Sequence, residues 1–357
     1  MVAIKKVVPN PVDRYSALTT TQLQSVVHPP IVRAIDQALT AAAERTHYAV
    51  ACSGGVDSAM LAVHVVLWAR QHHKTVQLFH VHHGLQQRAD GWVVQVHHLA
   101  QLLDVACHTQ RVQVDLTQGS GMEAAARQAR YSAFSQLAAH TQIDTVLLAH
   151  HLDDQAETVL LRLLRGAGPA GMGAMATHSQ RQDVHYIRPL LGTARSQLLE
   201  VATKFTALCA WEPVWDPTNI QDDYTRGALR DRIVPHLNQR WPAWRQSLGR
   251  HAQQSQEAAS LLAELAAEDL QRLDVGADYS FDLASWRQLS APRQVAVLRY
   301  WLGLQGLKMP TQARLNDMLR QLRQLHQLGF DRHMRVKHGA HYVCCAQGRV
   351  FVKQAQL

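Results

Sequence analysis

A glycine-rich hexapeptide, SGGVDS at residues 53–58, follows a short apolar run at residues 48–52 and precedes a helical pattern. Glycines let a backbone approach a ligand closely, and a helix start presents free N–H groups to an anion. The hydroxyls of Ser53 and Ser58 can bind phosphate oxygens, and Asp57 can hold Mg²⁺ directly or through water. The hexapeptide therefore predicts a nucleotide-phosphate loop, with an ordinary turn capped by Asp57 or Ser58 as the alternative.

The spacing within this loop narrows the kind of nucleotide chemistry. It lacks the G-x-x-x-x-G-K-[ST] pattern, so no lysine is aimed at the β- and γ-phosphates, and it is not G-x-G-x-x-G. A loop that holds pyrophosphate as a unit suits cleavage between the α- and β-phosphates. The expected nucleotide product is AMP rather than ADP.

A second polar group, AHHLDDQAET, occupies residues 149–158. We expect a strand to deliver His150 to the sheet edge and the next helix to turn Asp154 and Glu157 onto one face. An imidazole beside carboxylates has a raised pKa, which suits proton transfer near neutral pH. The alternative is that Asp153 or Asp154 only complements the helix dipole.

A third group is basic. Arg127, Arg130 and Tyr131 lie three to four residues apart and should share one helical face. That face could clamp a phosphate, and a solvated basic stripe is an equal alternative.

The elements that must position these groups alternate regularly. Strands followed by helices of ten or more residues indicate a doubly wound parallel α/β sheet covered on both faces. In such a sheet, ligands bind at the carboxyl ends of the strands, near a switch in strand order. We place strands at residues 48–52, 75–82, 107–114 and 145–149, and helices at 59–71, 91–104, 122–140 and 153–165.

The second half of the chain has a different pattern. A helical pattern runs over residues 244–273, and a smaller unit follows with helices at 291–304 and 311–324 and strands at 333–338, 341–346 and 349–353. We predict four regions: a poorly ordered extension (1–27), a catalytic domain (28–240), a helical linker (241–275) and a small α+β domain (276–357).

Composition excludes several classes of protein. The chain has 357 residues, is 47% hydrophobic and 18% charged, and can bury a core without disulfides or metal. Its five cysteines form no C-x-x-C pair, and the histidines of residues 80–83 lack a carboxylate or Cys at ligand spacing, so a metal site built from them is not expected. Without a signal peptide or long apolar run, a cytoplasmic protein with no membrane segment is expected.

The formal net charge of +8 favours a polyanionic partner, with nucleic acid first. Genomic composition bias is the alternative explanation for this basic surplus. The sequence leaves the oligomeric state open, with a homodimer as one option.

The hexapeptide matches the SGGxDS signature of the PP-loop ATP pyrophosphatases. With the further motifs, residues 47–245 resemble the tRNA(Ile)-lysidine synthase family, and residues 276–357 loosely resemble its substrate-binding domain. The motifs are HVHHGL (80–85), AARQARY (125–131), AHHLDDQAET (149–158), RGAGPAGMGAM (165–175), IRPL (187–190), WDPTN (215–219) and the segment 224–230.

This resemblance implies a reaction. The substrates are ATP with Mg²⁺, free L-lysine and the isoleucine tRNA with a CAU anticodon. The C2 oxygen of the wobble cytosine attacks the α-phosphate, pyrophosphate leaves, and the lysine ε-amine then displaces AMP from C2.

We assign candidate residues to this reaction. ATP binding is expected from Ser53, Gly54, Gly55, Val56, Asp57 and Ser58, with Asp57 also as the metal ligand. Catalysis is expected from Asp57, Arg127, Arg130, His150 and Asp154, and orientation of lysine or the base from Asp154 and Glu157. Phosphates of tRNA are expected to bind Arg165, Arg226 and Arg230.

Three other functions were weighed. A PP-loop tRNA thiolase or another adenylating tRNA-modifying enzyme is the nearest alternative, although a sulfur relay usually needs paired cysteines. A small-molecule ligase that forms NAD or GMP would leave the basic charge unexplained. A catalytically idle RNA-binding protein would not need Ser53, Asp57, His150 and Asp154 together.

Overall fold

A computed structural model describes residues 16–40, 44–82, 84, 89–113, 122–215, 225–325 and 333–355. The chain divides into two compact units, Met1–Gln254 and Ser255–Leu357. No helix in these ranges is long and apolar enough to cross a membrane.

The first unit alternates strands and helices, much as the sequence predicts. Its first elements are α1 (Thr20–Val26), α2 (Pro29–Thr40), β1 (His47–Ala51), α3 (Val56–Gln71), β2 (Thr75–His82), α4 (Ala89–Leu103), β3 (Cys107–Arg111) and α5 (Met122–Thr141). They are followed by β4 (Thr145–Leu147), α6 (Leu152–Leu164), α7 (Pro169–Met172), β5 (His178–Arg181), β6 (Val184–Ile187) and α8 (Arg195–Cys209). The last are α9 (Thr225–Ala228), a π-helical turn (Leu229–Ile233), α10 (Val234–Arg240) and α11 (Trp244–Gln271), within which the division between units falls.

The strands form a sheet in the order β3-β2-β1-β4-β6-β5. All neighbouring pairs from β3 to β6 are parallel, which confirms the expected α/β fold. The strand order reverses between β1 and β4, so the loops after these two strands meet at the switch point. The edge strand β5 is antiparallel to β6 and was not predicted.

Both faces of the sheet are covered by helices. Successive strand residues point to opposite faces, so Val50 packs with Leu61 of α3, whereas Ala49 packs with Phe134 of α5. Helix α3 is buried continuously from Ser58 to Ala69, as a helix inside a covered sheet must be. The start of α3 is therefore held firmly at the carboxyl end of β1.

The prediction that residues 1–27 form a poorly ordered extension is wrong for the part that the structure describes. Thr20–Val26 is a helix that begins with a capping box at Thr19, and Leu23 within it is fully buried. Its 7 residues are too few for a hydrophobic period to be recognised, so the sequence pattern did not indicate this helix. Residues 1–15 lie outside the described ranges.

The second unit contains β7 (Phe281–Asp282), α12 (Leu283–Gln288), α13 (Ala291–Leu304), α14 (Gln312–Gln324), β8 (His333–His338), β9 (His341–Ala346) and β10 (Arg349–Gln354). Its strands form an antiparallel sheet in the order β7-β10-β9-β8. One face of this sheet closes a core around Trp286 and Trp301. The expected small α+β unit is thus present, while its boundary at residue 276 stays a prediction.

Candidate active site

The loop after β1 has a backbone that only glycine can adopt at its centre. Gly54 has a φ of +90°, and a Cβ there would lie 2.9 Å from Cγ2 of Val214 and 3.0 Å from Cγ2 of Val96. The Val214 amide donates to the Gly54 carbonyl at 2.9 Å. Val214 therefore holds the loop in place through both its amide and its side chain, a contact that sequence reasoning missed.

The two serines of the loop bond to each other and to the loop backbone. Oγ of Ser58 accepts from the Ser53 amide at 3.1 Å, lies 3.1 Å from Oγ of Ser53, and donates to the Gly55 carbonyl at 3.1 Å. Gly55 is the N-cap of α3 and no side chain caps it, so the turn capped by Asp57 or Ser58 is wrong. The first amides of α3, which include that of Val56, have no intrahelical carbonyl partner and are suited to an anion.

Asp57 stands in the first turn of α3 between two cationic partners. Its Oδ2 lies 3.6 Å from Nε2 of His151, and its Oδ1 lies 3.4 Å from Nε of Arg195. Burial by itself would raise the pKa of Asp57, but the hydrogen bond and charge of His151, aided by Arg195, lower it. The carboxylate is therefore ionised at neutral pH.

His151, rather than His150, is the imidazole beside the carboxylates. Strand β4 ends at Leu147, earlier than predicted, and His151 is the N-cap of α6. Its Nε2 lies 3.4 Å from Oδ2 of Asp154 and 3.6 Å from Asp57. Burial lowers the pKa of His151, yet these carboxylates outweigh burial and raise it above the usual value. The carboxylates thus favour the charged form of this buried imidazole, which joins the loop to α6.

The raised pKa expected for His150 is wrong. Burial lowers the pKa of this imidazole to about 4, and the charges of Arg188 and Arg127 add to that effect against the pull of Asp154. His150 is neutral at neutral pH. Its Nδ1 is buried and has no hydrogen-bond partner in the described part of the chain.

Asp154 and Glu157 share one face of α6, as predicted, and the side chain of an arginine from another helix lies against that face. Arg230 in the π-helical turn donates from Nε to Oε1 of Glu157 at 2.7 Å and from Nη2 to Oε2 at 2.9 Å. The same Nη2 lies 3.5 Å from Oδ1 of Asp154. Burial lowers the pKa of Arg230, but the hydrogen bond to Glu157 raises it overall. Arg226 adds a hydrogen bond from Nη2 to Oγ1 of Thr158 at 3.0 Å.

The remaining arginines proposed from the sequence, Arg127, Arg130 and Arg165, are exposed. Arg127 donates to the hydroxyl of Tyr131 at 3.2 Å and lies over its ring, so these two share one face of α5, although the Tyr131 side chain is in the core. Arg130 is exposed one turn further along α5. Arg165 is the exposed C-cap of α6, and eleven residues of helix separate it from Asp154, about 16 Å.

Two further residues, Asp153 and Arg195, complete the site; sequence reasoning named Asp153 only as a residue that complements the helix dipole and did not name Arg195. Asp153 accepts from the Arg195 backbone amide at 3.1 Å and pairs with Nε of Arg245 at 2.5 Å. It therefore fixes the start of α8, from which Arg195 reaches Asp57. Because Arg195 lies about 140 residues from the loop in sequence, no local spacing pointed to it.

Known protein families and curated proteins resemble this chain over most of its length. The PP-loop domain profile matches residues 27–237, and the TilS substrate binding domain profile matches residues 281–351. The tRNA(Ile)-lysidine synthase of Bordetella bronchiseptica is 52% identical over 305 residues, covering 85% of this chain and 88% of that protein. The chain belongs to the tRNA(Ile)-lysidine synthase family. This confirms the family identified from the motifs.

Other members of the family match over different shares of their length. The Bordetella pertussis synthase is 51% identical over 85% of this chain and 95% of its own length. The Serratia proteamaculans synthase is 42% identical over 76% of this chain and 61% of its own length. The first profile covers the loop, α6 and Arg230 together, so the chain is an ATP-using PP-loop enzyme, as expected.

Proposed function

We propose that this chain converts the wobble cytidine of the CAU-anticodon isoleucine tRNA to lysidine, using ATP and free L-lysine. The observation that carries the proposal is the sharing of one buried imidazole, His151, by Asp57 of the phosphate loop and Asp154 of α6. The nucleotide site at Asp57 would therefore lie next to a site for a cationic amine at Asp154. An adenylation followed by attack of an amine requires two such neighbouring sites.

In the first step, the C2 oxygen of cytosine attacks the α-phosphorus of ATP, and the bond to the leaving pyrophosphate breaks. The amides at the start of α3 bind phosphate oxygens that gain charge in this step. Arg195, 3.4 Å from Asp57, adds a positive charge at the same loop. Gly54 keeps the loop in the conformation that lets its backbone approach the phosphates.

Mg²⁺ is proposed as the ion that accompanies ATP. The described residues contain no cluster of three or more side chains that could hold a metal by themselves. Mg²⁺ often binds one or two carboxylates and completes its shell with phosphate oxygens and water. The ionised Asp57 fits such a ligand, and the ion would neutralise phosphate charge there.

In the second step, the lysine ε-amine attacks C2, the C2–O bond breaks and AMP leaves. The amine must lose a proton before or during attack. Asp154 and Glu157 supply two carboxylates that can attract and orient the amine, and Asp154 can accept its proton. His150, neutral and with an unpartnered Nδ1, can accept a hydrogen bond from the attacking amine.

The tRNA is proposed to bind through phosphate contacts to arginines, with Arg165, Arg226 and Arg230 retained as candidates. Arg165 is exposed, whereas Arg226 and Arg230 already contact α6. A tRNA phosphate near the last two would therefore compete with Glu157 and Thr158. A cytoplasmic location and a homodimeric state stay proposals.

The thiolase alternative is not favoured. Burial raises the pKa of all five cysteines, and the pKa reaches about 11 for Cys52 and Cys345. A sulfur carrier needs the opposite, a thiol whose pKa is lowered and which is accessible. No cysteine here has those properties.

Incorporation of radiolabelled lysine into tRNA tests the proposal. Purified protein is incubated with ATP, Mg²⁺, labelled lysine and the CAU-anticodon isoleucine tRNA transcript, and acid-precipitable label is counted. A methionine tRNA and an isoleucine tRNA mutated at the wobble cytidine are the controls. Label confined to the unmutated isoleucine tRNA is expected. Release of AMP without tRNA, or tRNA-dependent AMP release without label, would contradict the proposal.

A further inference from the structure

The antiparallel sheet of the second unit has one face in the core and one face outside it. Met334 and Val336 of β8 belong to the core, whereas Arg335 and Lys337 between them are exposed. Pairing registers extend this alternation across the sheet, because residues that pair directly point to the same side. The outer face has three rows: His333, Ala346 and Arg349; then Arg335, the buried Cys344 and Phe351; then Lys337, Tyr342 and Lys353.

This outer face is basic without compensation from its own strands. Residues 333–355 contain Arg335, Lys337, Arg349 and Lys353 and neither Asp nor Glu. Arg349 differs from the others because it pairs with Asp274 at 2.8 Å. Arg349 lies in the first row of the outer face, and the other three cations lie in the next two rows, where Arg335 and Lys353 both act electrostatically on Cys344 between them.

The same face presents aromatic rings. The Arg335 guanidinium carbon lies 3.8 Å from the centroid of the Tyr342 ring, and both Tyr342 and Phe351 are partly exposed. Arginine planes and aromatic rings on a sheet are the groups on which unpaired bases stack, while nearby lysines bind the phosphates between them. A polar protein partner or a membrane surface would not need the rings and the charges in this alternation.

We propose that the outer face of β8, β9 and β10 binds an unpaired stretch of the RNA substrate. A base stacks on the Tyr342–Arg335 pair, and phosphates are bound by Lys337 and Lys353. This inference rests on the proposed function, which makes a tRNA the substrate, and it specifies the surface and the kind of RNA structure that the second unit recognises.

Two double variants test the contribution of charge. Arg335→Gln/Lys337→Gln removes two charges from the face. Arg272→Gln/Arg320→Gln removes two charges from exposed arginines of the same unit that pair with Glu268 and Asp317 instead. Fluorescence anisotropy with the full chain measures binding to the isoleucine tRNA between about 50 and 200 mM salt. The face variant should bind about tenfold more weakly, with a salt slope reduced by about 1.4, and the control variant should bind like the wild type.

A second comparison tests stacking. Tyr342→Ala should weaken binding to a short single-stranded RNA about tenfold, whereas Tyr342→Phe should not change it. An RNA duplex with the same number of phosphates should bind both variants equally. Thermal unfolding shows whether Tyr342→Ala folds; if it does not, Arg335→Lys replaces it, because it keeps the charge and loses the stacked plane.

Equal tRNA binding by the two double variants, or single-strand binding unaffected by loss of the Tyr342–Arg335 stack, would overturn the inference. Lysine incorporation, measured separately, distinguishes this failure from failure of the proposed function. If the face variants bind RNA normally and the protein incorporates lysine, only the RNA-binding role of the outer face is refuted. If the protein binds RNA through the outer face but incorporates no lysine, only the proposed lysidine-forming reaction is refuted.

Discussion

Asp57 and Asp154 approach the same ring nitrogen, Nε2 of His151, at 3.6 and 3.4 Å. One carboxylate belongs to the phosphate loop after β1 and the other to the helix after β4, so the imidazole lies across the switch point of the sheet. These two carboxylates, which would otherwise repel each other, raise the pKa of the buried imidazole and so favour its charged form. This contact joins the nucleotide side of the site to the amine side.

Loss of the Asp57 charge should abolish the reaction while leaving tRNA binding largely intact. Asp57→Asn keeps the size of the side chain but removes the ligand for Mg²⁺ and the partner of Arg195 and His151. We expect AMP formation to fall at least a hundredfold, about 2.7 kcal/mol or more in activation free energy. Asp104→Asn, exposed at the end of α4, is the control. Turnover near the wild-type rate in Asp57→Asn would refute the role of the loop.

Two neighbouring glycines should respond very differently to alanine. Gly54→Ala places a Cβ 2.9 Å from Val214 and forces a non-glycine residue to a φ of +90°, which costs about 1–3 kcal/mol. Gly55→Ala has an ordinary φ of −69° and a 3.6 Å contact with Ser53. Denaturant unfolding and the KM for ATP should change in the first variant and hardly in the second. Similar effects of both variants would contradict the described loop conformation.

Substitutions of Arg230 and Glu157 should have coupled effects on the free energy of unfolding, because the two side chains form a bidentate ion pair. Glu157 is buried, so Arg230→Gln leaves a carboxylate without its bidentate partner. Because Arg230 is 41% exposed, solvent screens part of the effect, and we expect a loss of about 1–2 kcal/mol in the free energy of unfolding. A double-mutant cycle with Glu157→Gln measures the coupling. Additive effects of the two substitutions would show that the pair contributes nothing.

Acid should destabilise the first unit before its carboxylates titrate. Burial lowers the pKa of His64, His80 and His150 to about 4 from 6.5, so the unfolded chain binds more protons between these values. Stability is therefore present above pH 6.5 and is lost as pH falls toward 4, by about 2 kcal/mol per histidine at pH 5. The raised pKa of His151 acts in the opposite direction, because its stabilisation is lost as pH rises.

Denaturant unfolding at pH 7 and pH 5 measures this effect. His64→Gln removes one buried histidine of α3, seven residues after Asp57, where His64 accepts from the His28 amide at 3.0 Å. The difference in unfolding free energy between the two pH values should shrink by about 2 kcal/mol in this variant. His73→Gln, at an exposed position, should leave the difference unchanged. An unchanged difference in His64→Gln would refute the assignment of a depressed pKa.

Local sequence was sufficient for the elements from β1 to α6, for most of the second unit and for the phosphate loop, but α2 and α8, of 12 and 15 residues, were not predicted. Alternating strands and helices have distinct periodicities, and a glycine pair between a strand and a helix restricts the backbone by itself, so α3 to α6 and residues 53–58 were predictable. Short or irregular elements were not: the capped helix α1 and the β5–β6 hairpin contain too few residues for a period to emerge.

Which of the two imidazoles has the raised pKa was decided only by tertiary structure. His150 and His151 are adjacent and chemically alike. Because β4 ends at Leu147, His151 lies near carboxylates, whereas His150 is buried close to several arginines. The partners Arg195 and Arg230 come from distant parts of the chain. A pKa depends on burial and on charges within a few ångströms, and sequence spacing determines neither until the chain has folded.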